Sequence, residues 1–122
     1  MSELLIQTAD WRKEKHAPTI ELPEVIIAGE PFKVAFGLGK EISHPNTLEH
    51  HITCITLYFQ PVGNKFPYKV AHVEFSAHGE VDTFTNPWAK VMVKVKGSGK
   101  FIAQSHCNIH GLWEATAEVK TA

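Results

Sequence analysis

The sequence predicts an all-β protein, an immunoglobulin-like seven-stranded antiparallel β-sandwich, on three observations. Apolar and polar residues alternate in short runs, proline and glycine interrupt those runs at regular intervals, and no interval leaves room for a crossover helix. The first strand is expected within Ile20 to Ile27. Phe32, Val34, Phe36 and Leu38 give the second a single apolar face, and Thr53, Ile55, Leu57 and Phe59 do the same for the third. Ala71, Val73, Phe75 and Ala77 mark the fourth, Val91, Val93 and Val95 the fifth, and Phe101 with Ala103 the sixth. The seventh carries Trp113, Ala115, Ala117 and Val119. Pro31, Pro45, Pro61 with Gly63, Gly79, Pro87, and Gly97 with Gly99 punctuate the series. Two long polar connections are left over, Gln7 to Thr19 and Glu41 to His51.

At 122 residues the chain is the size of one domain, expected to span 1–122, and 43% hydrophobic against 20% charged residues is enough to build one core. A net charge of -1 offers no basic surface for nucleic acid or an anionic membrane. Met1 to Trp11 lacks the pattern of a secretory signal, and no apolar stretch reaches the length of a membrane span, so a cytoplasmic location is expected. The two cysteines, Cys54 and Cys107, could be a disulfide, two free thiols or a metal ligand. Eight histidines are an excess, and several sit beside polar turn residues.

Three local motifs carry chemistry. In Ser105-His106-Cys107-Asn108-Ile109-His110-Gly111-Leu112-Trp113, a Cys-x-x-His pair falls where a strand gives way to a glycine turn, a spacing that can place a thiolate and an imidazole on one metal. Cys107 has the parity of Phe101 and Ala103 and should point inward, whereas His106 should point to the other face and not be a ligand. His44-Pro45-Asn46-Thr47-Leu48-Glu49-His50-His51 offers up to three imidazoles on a loop. Glu14-Lys15-His16-Ala17-Pro18 adds one more, next to a carboxylate and an ammonium. Loops at one end of a sandwich could gather these groups. Four imidazoles with one thiolate exceed a closed zinc site and suit a redox iron with one open position better, although spacing alone leaves the metal open.

Taken together and in this order, the three motifs resemble those of the superoxide reductases, the family of neelaredoxin and of the iron domain of desulfoferrodoxin. Asp10-Trp11, Val73-Glu74-Phe75 and Ala77-His78-Gly79 extend the likeness over nearly the whole chain. With only two cysteines there is no four-cysteine rubredoxin-like module, so the likeness is to the one-iron class, and the stretch Gly79 to Pro87 is shorter than in several relatives. The resemblance implies one-electron reduction of superoxide to hydrogen peroxide at a mononuclear non-haem iron. His16, His44, His50 and His110 would then lie around the iron and Cys107 on its axis. It further implies that Lys15 attracts superoxide and helps protonate the product, that Glu14 closes the open position once iron is ferric, and that the Ile109 and His110 N–H groups bond the Cys107 sulfur. The partners it implies are superoxide, rubredoxin or a similar small electron donor, and other copies of the chain in a dimer or tetramer.

Other readings predict different behaviour. A non-catalytic iron electron-transfer module would use the same ligands without fast reaction with superoxide. An immunoglobulin-like binding domain would carry incidental histidines. His51 is expected to be a packed, hydrogen-bonded histidine, and His72, His78 and Cys54 to be structural.

Overall fold

The structure is a computed structural model that describes residues 6–122; residues 1–5, where the stretch read for a secretory signal begins, lie outside the described residues. Eight strands form in chain order: β1 (Gln7–Thr8), β2 (Thr19–Glu21), β3 (Phe32–Gly37), β4 (Ile52–Pro61), β5 (Tyr68–Glu74), β6 (Trp88–Val93), β7 (Gly99–Cys107) and β8 (Gly111–Val119). They make two sheets, one ordered β1-β8-β7-β4-β5 and one ordered β2-β3-β6. The only helical element among the described residues is the 3₁₀ turn Glu80–Asp82, and no helix there is long and apolar enough to cross a membrane.

The all-β expectation and its seven strands correspond to β2 through β8. The eighth, β1, falls within the expected Gln7 to Thr19 connection and pairs parallel to β8, Gln7 opposite Trp113. Two residues carry too little alternation to register as a strand. The expected strand from Ile20 to Ile27 stops at Glu21, because Pro23 has no N–H for a ladder; Ile26 returns as a single bridge to Thr121 and is buried.

Val34 and Phe36 of one sheet face Ile55, Leu57, Phe101 and Ala103 of the other, all fully buried in one apolar cluster. Each large side chain so buried contributes about 1.5–3 kcal/mol. On its other face β3 is covered at its far end, where Ala35 and Gly37 are buried while Lys33 is exposed. A side chain at Gly37 would collide with the Trp88 indole and the Pro87 carbonyl, which itself accepts the Leu38 N–H.

One expectation of facing fails at the start of β4. Thr53 was placed on the inner face with Ile55, Leu57 and Phe59, but the ladder to β7 is irregular between Ile52 and Cys54, with Ile52 opposite Cys107 and Cys54 opposite His106. The extra residue of a bulge leaves Ile52 and Ile55 buried and turns both Thr53 and Cys54 outward.

Candidate metal centre

Antiparallel pairing brings the end of β3, the start of β4, the end of β7 and the start of β8 to one end of the sandwich, where β2 also begins. The three motifs therefore meet there. His16 lies just before β2, His44 and His50 on the connection from β3 to β4, and Cys107 closes β7. Gly111 opens β8 at φ 75°, a left-handed conformation that lets the chain reverse within the four residues Cys107 to His110.

His16, His44, His50 and Cys107 each point one ligand atom into a common space, all four atoms within 4.8 Å of one another. Cys107 is 1% exposed, as its parity required, and His16 and His44 are buried. His110 is exposed and stands outside that group of four, yet its Nδ1 comes to 3.0 Å from His16 Nε2 and 3.7 Å from Cys107 Sγ. Ring centroids run 4.8 Å from His16 to His44, 4.7 Å to His50, 5.1 Å to His110 and 4.6 Å back to His16, while His16 to His50 is 6.2 Å. Four similar edges and a longer diagonal describe a square of imidazoles, with the Cys107 sulfur beside it.

The ring nitrogens fit a metal better than they fit one another. His44 Nδ1 donates to the Pro45 carbonyl at 2.7 Å, which leaves its Nε2 with a lone pair. That Nε2 and the Nε2 of His50 are buried and have no hydrogen-bond partner among the described residues. Such orphaned atoms cost about 1–3 kcal/mol each unless an ion satisfies them. The 3.0 Å between His16 Nε2 and His110 Nδ1 matches two nitrogens held at a right angle about 2.1 Å from a shared centre. Four imidazoles and a thiolate are donors suited to iron.

Burial favours the neutral form of the His44 and His50 rings, the form a ligand needs. Burial pushes His44 down to about 4; the Pro45 carbonyl opposes this, and His16, His50 and Lys15 add to the fall. His50 is lowered by burial, then by His110, His16 and Lys15. Lys15 is half-buried and its charge is felt at both rings and at Glu14, so it stands close to the site.

Glu14 sits on the far side of a ligand candidate. Its carboxylate accepts the His16 backbone N–H at 2.6 Å and the His16 Nδ1–H at 2.9 Å, which orients the ring with Nε2 toward the site. Burial acts to raise this carboxyl, but the His16 N–H, the His16 ring and Lys15 outweigh it and leave it below its ordinary value.

Several supporting residues escaped the sequence reading. Asn108 clamps the Cys107 turn to the His50 loop: its Oδ1 accepts the His51 N–H at 2.8 Å, its Nδ2 donates to the Glu49 carbonyl at 2.9 Å, and its own N–H reaches the His51 carbonyl. Trp113 stacks on His16 at 4.9 Å and donates to the His110 carbonyl. Fully buried Ser105 donates to the His16 carbonyl. Asn46 was only one polar residue in a histidine-rich loop, and it binds His78 Nδ1 at 2.8 Å and the Thr85 carbonyl. His51 is hydrogen-bonded and packed, stacked on His78 at 3.5 Å rather than on the core. His106 keeps to the outer face on Thr53, Cys54 and Cys107 are both free thiols, and neither the Ile109 nor the His110 N–H bonds the Cys107 sulfur among the described residues.

The chain is similar to several known proteins. The family pattern described as desulfoferrodoxin matches residues 8–116. Neelaredoxin of Megalodesulfovibrio gigas is 48% identical over 122 residues, covering 94% of each chain. The superoxide reductase of Pyrococcus furiosus is 51% identical over 116 residues, covering 89% of this chain and 91% of its own. The reduced superoxide reductase (neelaredoxin) of Archaeoglobus fulgidus superposes with a TM-score of 0.88 at 48% identity, covering 96% of this chain and 99% of its own.

Proposed function

We propose, from the premise that this chain belongs to the desulfoferrodoxin family, that it reduces superoxide to hydrogen peroxide at one iron held by His16, His44, His50, His110 and Cys107. The observation that carries the ligand set is the square of imidazoles with two orphaned buried nitrogens beside a buried thiol. Iron bound by these five residues would supply the one electron that, with two protons, converts superoxide to hydrogen peroxide.

The chain's own residues prepare that step. Lys15 places a positive charge where an anion must approach, and it orients water toward the product's oxygens. Glu14 fixes the His16 ring in the present arrangement; released from it, the same carboxylate would be the oxygen ligand offered to ferric iron. Trp113 and Asn108 hold the His16 ring and the His50 loop in register with Cys107. The electron donor in this reading is a rubredoxin-like small protein, the assembly a homo-oligomer, dimer or tetramer, and the compartment the cytoplasm. Residues 1–122 are then one iron-binding domain. Its scaffold is an immunoglobulin-like sandwich, a reading supported by the four and three strands that remain in the two sheets once β1 is set aside.

Metal analysis, an oxidised visible spectrum and pulse radiolysis test the reading together. Stoichiometric iron, a thiolate-to-ferric band and fast second-order oxidation of the ferrous form by superoxide are expected. Zinc alone with no colour would overturn it, and iron with colour but no fast reaction would leave an electron-transfer module.

A further inference from the structure

Outside the site just described, the outer face of the five-stranded sheet collects a second set of metal-ligating side chains. Cys54 lies in the middle of a cross-strand row, paired with His106 of β7 on one side and Glu74 of β5 on the other. One row along, Thr56 pairs with His72. Directly paired residues on one face bring their Cβ atoms to about 4.5–5.5 Å, and diagonal ones to about 7–8 Å, both within reach of imidazole and glutamate side chains. The bulge at Thr53 makes this row, because it turns Cys54 outward beside His106.

We propose that Cys54, His72, Glu74 and His106 form a second metal site, for a borderline-soft divalent cation of the zinc class. Both imidazoles are already oriented by threonines of β4. His106 Nδ1 is 2.6 Å from Thr53 Oγ1, and that hydroxyl has the His106 carbonyl at 3.2 Å to receive its own proton. In the tautomer in which that hydroxyl donates to the carbonyl, Nδ1 is the donor and Nε2 keeps the lone pair a metal needs. His72 Nδ1 is 2.8 Å from Thr56 Oγ1, while its Nε2 faces Glu74 Oε1 at 3.7 Å.

One thiolate, two imidazoles and one carboxylate make a tetrahedral zinc set, and they discriminate against calcium and magnesium, which want oxygen ligands. Among the described residues only the iron-site group already converges within 4.8 Å, so the outer set closes around its ion by side-chain rotation. Glu74 and His72 have that freedom, their side chains being 74% and 39% exposed. Cys54 is a free, half-buried thiol, and its proton leaves to solvent when the metal binds.

The test is titration of the reduced, iron-loaded protein with cobalt(II) under anaerobic conditions, followed by zinc. One cobalt per chain is expected, with a near-ultraviolet thiolate band, tetrahedral visible bands, no loss of iron and displacement by zinc. Cys54→Ser should abolish the thiolate band and Glu74→Gln should weaken binding at least tenfold, both with unchanged iron content and superoxide reactivity. No cobalt uptake by the iron-loaded protein, or a thiolate band that persists in Cys54→Ser because cobalt has replaced iron at Cys107, would overturn the assignment. Should Cys54→Ser fail to fold, unchanged affinity in the exposed-site variant Glu74→Gln together with His72→Gln would overturn it equally.

Discussion

The imidazoles at one end of the sandwich depend on the single groups that orient them. Glu14 holds the Nδ1–H of His16, and loss of a carboxylate in that position weakens metal binding by about 10–100-fold. Glu14→Ala should therefore show that loss in a chelator competition, and an unchanged affinity would remove the orienting role. Lys15→Ala should keep iron but slow the encounter with superoxide several-fold at low ionic strength, with wild type and variant converging as salt screens the charge; equal rates at low salt would end the steering role. The His44 ring, ordinarily near 6.5, stands at about 4 in the folded chain. The unfolded chain binds the extra proton first, so the stability of the iron-free protein is complete above pH 6.5 and is lost as pH falls toward 4. Denaturant melts across that range should record a loss on the order of 3 kcal/mol from this ring, and a flat profile would contradict its burial as a neutral group.

Connections, not strand centres, carry the chemistry, and each is tied to a neighbour. Asn108 contributes two side-chain hydrogen bonds to the His50 loop, so Asn108→Ala should cost about 1–3 kcal/mol. It should also speed iron loss, because the Cys107 turn and the His50 loop would then move independently. A melt and an iron-release rate measured on one sample separate the two effects; a stability loss with unchanged iron release would make Asn108 a fold residue only. On β7 strict alternation sends Cys107 in and His106 out, as their positions in the sequence require. At Thr53 period-2 parity fails, because it assumes an unbroken ladder and a bulge inserts a residue that sets the buried Ile52 and Ile55 three positions apart instead of two. Likewise β1 was missed, since a two-residue strand is recruited by β8 rather than formed by its own propensity.

At the scale of the molecule, the sandwich and the metal end are separable. The core lies between the sheets, whereas two buried nitrogens at the metal end have no partner of their own. Removal of iron should lower the melting temperature and raise amide exchange first in the segments around 14–17, 44–51 and 107–111, leaving β3, β4 and β7 protected; uniform exchange throughout would mean that the metal supports the whole fold. Alternation and turn residues determined the β class and seven of eight strands, because burial of one sheet face imposes a period the sequence must obey. Motif identity pointed to the family and to five candidate ligands in three segments far apart in the chain. Only the tertiary structure decided that the four imidazoles form a square with His110 as its exposed corner, and that Glu14 lies on His16. It alone also showed that Asn108, Trp113, Ser105 and Asn46 brace the site. Those facts depend on distances between segments that meet only when the sheets pair, and no local pattern encodes them.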